Sequence, residues 1–89
     1  MKFGWDPPKH DRNVRERGFG FDVAALIFEG DILLQVDDRR DYGEQRVRAI
    51  GEVDGVILSV VFTDRGDVRW IISARPASRK ERQQWLQRR

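Results

Sequence analysis

Closely spaced arginines near the C-terminus are the residues of this 89-residue chain best suited to chemistry. Residues 1–68 carry ten Lys and Arg against fourteen Asp and Glu, a net charge of −4, whereas residues 69–89 carry seven against one, a net charge of +6. Fourteen of the seventeen cations are Arg, whose planar fork binds two phosphate oxygens at once. The overall charge of +2 therefore conceals a basic segment that predicts an anionic partner.

The period-two alternation of strands predicts where further arginines lie. Arg69 and Arg75 fall on one face of one predicted strand, and Arg46 and Arg48 share a face of another. If these faces coincide, the sheet carries an arginine-lined groove that can bind a bent phosphate backbone and stabilise a phosphorane-like transition state. The alternative is a solvated sheet face whose arginines pair with nearby acids.

For other side chains the sequence gives weaker evidence of a functional role. His10 is the only histidine and thus the usual candidate for general acid–base catalysis, although an ordinary helical histidine is the alternative. Trp5, Trp70 and Trp85 are suited either to stacking on bases or to anchoring the core. Tyr42 lies in a charged loop, where it either stacks on a base, donates a proton or lies on the surface.

The composition excludes several classes of function. The chain has no cysteine, which excludes a disulfide scaffold, a thiol nucleophile and the common zinc sites. A single histidine is too few for a multi-histidine metal site. No apolar run reaches the ~18 residues of a membrane span, and the N-terminus lacks a signal-peptide pattern. We therefore expect no metal, no cofactor, no membrane partner and a cytoplasmic location.

The elements that must position these residues begin with helices. Asp6 and Pro7 are typical of a helix start, and Gly18 is a natural C-cap. The elements predicted before residue 45 are a strand at 1–5, a polar surface helix at 7–17, a helix at 21–28, a strand at 32–36 with its apolar residues on one face, and a charged loop at 37–44.

The second half of the chain predicts a three-strand antiparallel meander followed by a helix. Its strands are predicted at 46–52, 56–63 and 68–75, the middle one covered on both faces. Asp54-Gly55 and the segment 64–66 provide the turns, with Gly66 able to take positive φ. Ser78 and Glu81 form a capping box that opens the last helix.

The chain resembles the BrnT family of toxins over nearly its whole length. At the N-terminus the similarity lies in the run Phe3-Gly4-Trp5-Asp6-Pro7-Pro8-Lys9, followed by Asn13, Gly18 and Phe21. At the C-terminus it lies in the run Trp70-Ile71-Ile72-Ser73-Ala74-Arg75-Pro76-Ala77-Ser78-Arg79-Lys80-Glu81-Arg82. Between these runs fall Arg46, Ile50-Gly51 and Thr63-Asp64-Arg65-Gly66.

This resemblance implies a fold, an activity and a partner. BrnT proteins are ribonuclease toxins of type II toxin–antitoxin modules with a RelE-like fold, and they arrest growth. Their antitoxin, BrnA, is a small ribbon–helix–helix DNA-binding protein that blocks the toxin and represses the operon. We therefore expect one α+β domain over residues 1–89, with a small antiparallel sheet (the meander plus one or two further strands), N-terminal helices and a C-terminal helix. We further expect it to cleave RNA without a metal and to contact DNA only through the antitoxin.

The resemblance and the basic strand faces together give the candidate site. Arg75 and Arg79 are expected to clamp the scissile phosphate, with Arg82 and Lys9 on flanking phosphates or the leaving oxygen. Glu81 is either the base or only part of the capping box. The candidate RNA-binding residues are Lys9, Asn13, Arg46, Arg48 and Arg69.

The chain departs from the family pattern at four positions. Many members have a Lys-His pair where this chain has Glu16 and Arg17, a His in place of Phe62 and a Tyr in place of Trp85. These departures leave open a second function, a weak or inactive module that still binds RNA or the antitoxin. A DNA-binding regulator is less consistent with the sequence, because no helix-turn-helix pattern is visible.

Overall fold

A computed structural model describes residues 1–88 of the chain. It contains a five-stranded sheet in the order β1-β5-β4-β3-β2, in which only the β1–β5 pair is parallel. The elements are β1 (Lys2–Trp5), α1 (Pro7–Arg17), α2 (Phe21–Ala24) continuing as a 3₁₀ segment (Ala25–Glu29), β2 (Leu33–Asp37), β3 (Arg46–Val53), β4 (Val56–Arg65), β5 (Val68–Pro76) and α3 (Arg79–Leu86). The α+β architecture with a C-terminal helix is therefore confirmed.

Helix α1 has the predicted boundaries, but one predicted cap is missing. Gly18 adopts the left-handed conformation (φ 84°), and its amide donates to the carbonyl of Val14 at 3.0 Å. Asp6 occupies the N-cap position, yet its side chain makes no capping hydrogen bond. Pro7 at the first helical position leaves fewer amides that need such a partner.

The meander follows the predicted turns with one shift. Asp54 (φ 48°) and Gly55 (φ 82°) are both in the positive-φ region that a two-residue hairpin turn requires. Strand β4 continues to Arg65, two residues beyond the prediction, so the second turn lies at Gly66 (φ 61°) and Asp67. β4 lies at the centre of the sheet with its middle residues buried, as its apolar run predicts.

The core lies on the face of the sheet that α2 and the 3₁₀ segment cover. Phe21 and Ile27 from these helices pack with buried residues of the sheet such as Val60 and Ile71. The 3₁₀ segment approaches β3 closely at Gly51, where an added Cβ would lie 2.7 Å from the Cβ of Ile27. A glycine is therefore required for this contact.

A β-bulge in β5 changes which residues share a face. The pairing joins Phe62 to Ile71 but Val61 to Ser73, which leaves Ile72 as an extra residue. The prediction that Arg69 and Arg75 share one face of this strand is therefore wrong. Simple alternation cannot reveal an inserted residue, because the apolar pattern is similar in both registers.

Arg69 lies on the helix-covered face. Its guanidinium lies 4.2 Å from the ring centre of Phe62 and 4.9 Å from that of Phe28. It also donates two hydrogen bonds to Asp64, at 2.8 and 3.0 Å. Arg69 is therefore bound within the fold.

The structure determines the burial of apolar side chains for which the sequence indicated only a face or two alternatives. β2 begins and ends one residue later than predicted, and Leu34 and Val36 are exposed (57% and 58%). Conversely, Trp85 is buried (3% exposed), which confirms an anchoring role, while Trp5 and Trp70 are half-buried.

No helix within residues 1–88 is both long and apolar enough to span a membrane.

The close contact at Gly51 gives a stability test. Gly51→Ala should lower the free energy of unfolding by ~1–3 kcal/mol, because its methyl group overpacks the contact with Ile27. Gly30→Ala is the matched control, since no atom lies within 4 Å of its added Cβ and its φ of −123° suits alanine. Urea unfolding measures both, and equal midpoints for the two variants would contradict this packing.

Candidate nucleic-acid interface

A basic cleft lies between α1 and the second half of β5, and it arises from the short first strand. β1 pairs only with residues 68–71 of β5, so α1 rather than a strand borders the rest of that edge. The cleft continues over the sheet face opposite α2 towards the loop that joins β2 to β3. We call this whole surface the arginine groove; the residues shared between its parts are Lys9, Asp37, Arg39, Ile72, Ser73 and Arg75.

The wall formed by α1 is cationic. Lys9, Arg12 and Arg17 are exposed, line the groove and form no ion pair with any residue among 1–88. Lys9 and Arg12 are three residues apart and so lie on one side of the helix, and Arg17 lines the same groove. Of the three, only Lys9 is among the predicted site residues, so Arg12 and Arg17 are additions.

Asn13 lies in the same wall but serves the fold. It is buried, and its amide nitrogen donates to the carbonyl of Phe19 at 2.9 Å. This bond joins α1 to the segment that leads into α2. Asn13 therefore shapes the groove through its buried amide.

The floor of the groove is organised around one buried carboxylate. Glu81 is 9% exposed and accepts two hydrogen bonds from Arg75, at 2.7 and 3.1 Å. It also accepts from the amide of Ser78 (2.8 Å) and the hydroxyl of Ser59 (3.2 Å). The capping box predicted for α3 is confirmed, and the same carboxylate also holds an arginine of β5.

A second arginine reaches Glu81 from β3. Arg48 donates to the hydroxyl of Ser59 at 2.6 Å, and its guanidinium lies 3.6 Å from the Glu81 carboxylate. Arg75 and Ser59 are directly paired across the strands and so share a face. Arg48 and Arg75 thus flank one carboxylate, and Ser59, which sequence patterns did not single out, connects them.

The surroundings of Glu81 determine its charge. Burial is the largest single influence and raises the pKa of its carboxyl. The Arg75 and Ser78 hydrogen bonds and the Arg75 charge together outweigh burial and lower the pKa from 4.5 to about 2. A carboxylate with this pKa, whose oxygens already accept several hydrogen bonds, is a weak base near neutral pH.

The far end of the groove is formed by the loop after β2. The guanidinium of Arg46 lies 3.9 Å from the ring centre of Tyr42 and its nitrogen 3.7 Å from Glu44. Arg39 donates to Asp37 at 2.8 and 3.1 Å, and this bond lowers the pKa of the Asp37 carboxyl. Tyr42 therefore belongs to the groove, where it contacts an arginine.

The structure leaves three predicted site residues outside the groove. Arg69 is on the opposite face, where aromatic rings and Asp64 engage it. Arg79 and Arg82 are exposed on α3 and do not line the groove, and Arg82 donates to the carbonyl of Ala77 at 2.9 Å. The structure does bring together Lys9, Asn13, Arg46, Arg48, Arg75 and Glu81.

His10 packs between elements of the fold and lies outside the groove. Its Nδ1 accepts a hydrogen bond from the amide of Phe21 at 3.0 Å. The ring stacks on Trp5 with a centroid distance of 5.7 Å and meets the edge of Phe21. These contacts join β1, α1 and α2, and His10 does not line the groove.

Comparison with known proteins decides the family. A family model described as the ribonuclease toxin BrnT of type II toxin–antitoxin systems matches residues 5–81. The chain belongs to the BrnT family. No curated protein matches the chain. This BrnT chain is therefore a ribonuclease toxin whose target is RNA and whose partner is an antitoxin, which confirms the resemblance seen in its two terminal runs.

The departures from the BrnT pattern fall in two different environments. Phe62 and Trp85 are each 3% exposed and belong to the packed interior. Of the four departures, only Glu16 and Arg17 line the arginine groove of this toxin. The substitutions at Phe62 and Trp85 therefore affect packing, whereas those at Glu16 and Arg17 change the groove surface.

The lowered pKa of Glu81 predicts an acid-dependent contribution to stability. A carboxyl whose pKa falls on folding stabilises the native state above its unfolded pKa, and this contribution is lost as pH falls towards the native value. Glu81→Gln should therefore lower the free energy of unfolding by ~2–3 kcal/mol at pH 7 and by progressively less between pH 4.5 and 2. Urea titrations at several pH values measure this difference, and a difference that does not change with pH would contradict the assignment.

Proposed function

We propose that this BrnT toxin is a metal-independent endoribonuclease that holds the scissile phosphate of RNA in the arginine groove. The observation that carries the proposal is the pairing of two kinds of cation in one cleft. Arg48 and Arg75 are fixed beside the buried Glu81, while Lys9 and Arg12 on α1 have no ion pair within residues 1–88. Fixed guanidinium groups can stabilise developing charge, and free cations attract the phosphate backbone.

RNA supplies its own nucleophile for this reaction. The 2′-hydroxyl gives its proton to water and forms a bond to phosphorus, the bond to the 5′-oxygen breaks, and the 5′-oxygen takes a proton from water. The products are a 2′,3′-cyclic phosphate and a 5′-hydroxyl. The enzyme must align these atoms and stabilise the charge on the phosphate, and we assign that role to Arg75 with Arg48 beside it.

Glu81 in this proposal is a positioning residue. Its pKa of about 2 and its bonds to Arg75 and Ser78 favour a role in holding the guanidinium over a role as the base. Arg79 and Arg82 then contact RNA that flanks the groove. Because guanidinium is a poor proton donor at neutral pH, turnover should be slow.

Metal independence is supported by the chemistry of the substrate. A reaction with an internal nucleophile needs no metal-bound water. We propose that the toxin acts in the cytoplasm, on cellular RNA.

The proposed partner is a BrnA-like antitoxin of the ribbon–helix–helix type. Membership of a type II toxin–antitoxin family implies that the partner is an antitoxin. The groove cations that have no ion pair within residues 1–88 favour an acidic segment of that partner, which would cover them. Contact with DNA is then made by the antitoxin alone. High salt should weaken the part of the complex that rests on these charges.

A second function, an inactive module that binds RNA or the antitoxin, is favoured by one observation. Glu16 and Arg17 line the groove at positions where many family members have a Lys-His pair. If that pair moves a proton, this chain lacks the group. The experiments below separate the two functions, because an inactive module binds RNA without cutting it.

Arg75→Ala should reduce RNA cleavage about 100-fold or more, since it removes the guanidinium assigned to the phosphate. The assay uses purified protein and bulk RNA, with and without EDTA, and circular dichroism confirms folding. Arg15→Ala is the control, because Arg15 is exposed on α1 but does not line the groove. If soluble wild-type protein leaves RNA intact, the nuclease proposal is wrong. If EDTA abolishes cleavage, metal independence is wrong.

Arg12→Ala should weaken RNA binding mainly through its charge. For single-stranded RNA the slope of log K against log salt should become shallower by ~0.7, which corresponds to one lost phosphate contact. Arg15→Ala, a matched exposed arginine of the same helix, should leave the slope unchanged. Fluorescence anisotropy with a labelled oligonucleotide measures both slopes, and identical slopes would remove α1 from the RNA-binding surface.

A further inference from the structure

Strand β2 is an exposed sheet edge whose residues border the arginine groove but whose outer backbone groups have no role in the proposed chemistry. It is the last strand of the sheet and pairs only with β3 among the described residues. Its sequence, Leu33–Asp37, contains no Lys or Pro, which are the residues that commonly protect such edges. The unpaired side presents backbone donors and acceptors over ~17 Å.

The two faces of β2 differ in chemistry. Leu34 and Val36 are directly paired with Ala49 and Val47 on the helix-covered face, yet they lie beyond the helices and are exposed (57% and 58%). Gln35 is paired with Arg48 and therefore shares the face of the arginine groove. A segment added to β2 would thus gain apolar contacts on one face and border the groove on the other.

We propose that β2 is the docking edge for an extended segment of the antitoxin, which adds a strand to the sheet and continues over the arginine groove. This inference rests on the proposed function for the identity of the partner. The segment would place apolar side chains two residues apart, against Leu34 and Val36, and would carry acidic residues towards the groove.

Charge and continuity favour the antitoxin over other occupants. The groove beside β2 contains Arg40 and Lys9, which have no ion pair within residues 1–88, so an acidic continuation gains charge pairs there. A second copy of this chain is the competing occupant, because Asp31 and Asp38 flank its own β2, and the test below distinguishes a toxin dimer from the antitoxin complex. One continuous partner segment accounts for both the exposed edge and the free charges.

The test uses the full chain co-expressed with the product of the reading frame that adjoins its gene. Leu34→Lys should weaken binding of that product at least tenfold, because it places a charge in an apolar contact. Val56→Lys, another exposed aliphatic position (53%), is the matched control and should bind within about twofold of wild type. Both variants should cleave RNA as the wild type does.

Amide hydrogen exchange provides a second readout on unmodified protein. In the complex, amides of residues 33–37 that do not bond to β3 should become protected. Wild-type affinity in Leu34→Lys, or unprotected β2 amides in the complex, would overturn the proposal. A third result would also overturn it: the wild-type toxin forms a dimer, and Leu34→Lys dissociates this dimer without changing the affinity for the adjoining product.

The outcomes also separate this inference from the proposed function. If the adjoining product fails to bind the wild-type chain, the antitoxin part of the proposed function fails and the docking edge with it. If the product binds through β2 but the chain cleaves no RNA, the docking edge is supported and the nuclease assignment fails.

Discussion

The arrangement of the groove depends on the buried carboxylate of Glu81. This one side chain caps α3 through the amide of Ser78 and binds the guanidinium of Arg75 on β5. Through Ser59 it also reaches Arg48 on β3. Burial of a carboxylate is costly unless its oxygens are hydrogen-bonded, and here the hydrogen bonds come from Arg75, the amide of Ser78 and the hydroxyl of Ser59. Stability and site geometry therefore rest on the same bonds.

Local sequence patterns predicted most of the fold, because several of its features depend on a few adjacent residues. The helix start at Pro7, the turn at Asp54-Gly55 and the capping box at Ser78 each depend on a few adjacent residues. Such signals are local, and the structure follows them to within one or two residues. The family resemblance also proved correct, because it rested on two long runs rather than on one motif.

The errors arise where distant parts of the chain decide the outcome. The bulge at Ile72 is fixed by the pairing of β5 with β4, and it moves Arg69 to the face opposite Arg75. Likewise, apolar alternation in β2 predicts one apolar face but cannot show that the helices end before they cover Leu34. Ser59 was missed because its role appears only when β3, β4 and α3 come together.

The groove divides its cations into two groups with different physical behaviour. Arg48 and Arg75 are held in place by Glu81, and salt screens such partly buried charges less. Lys9, Arg12 and Arg17 are exposed, so their attraction for any anion is sensitive to salt. Replacing a family Lys-His pair by Glu16 and Arg17 therefore alters the exposed group and leaves the arginine floor intact. Under the proposed function, this division separates the side chains that would hold the phosphate from those that differ from the family pattern.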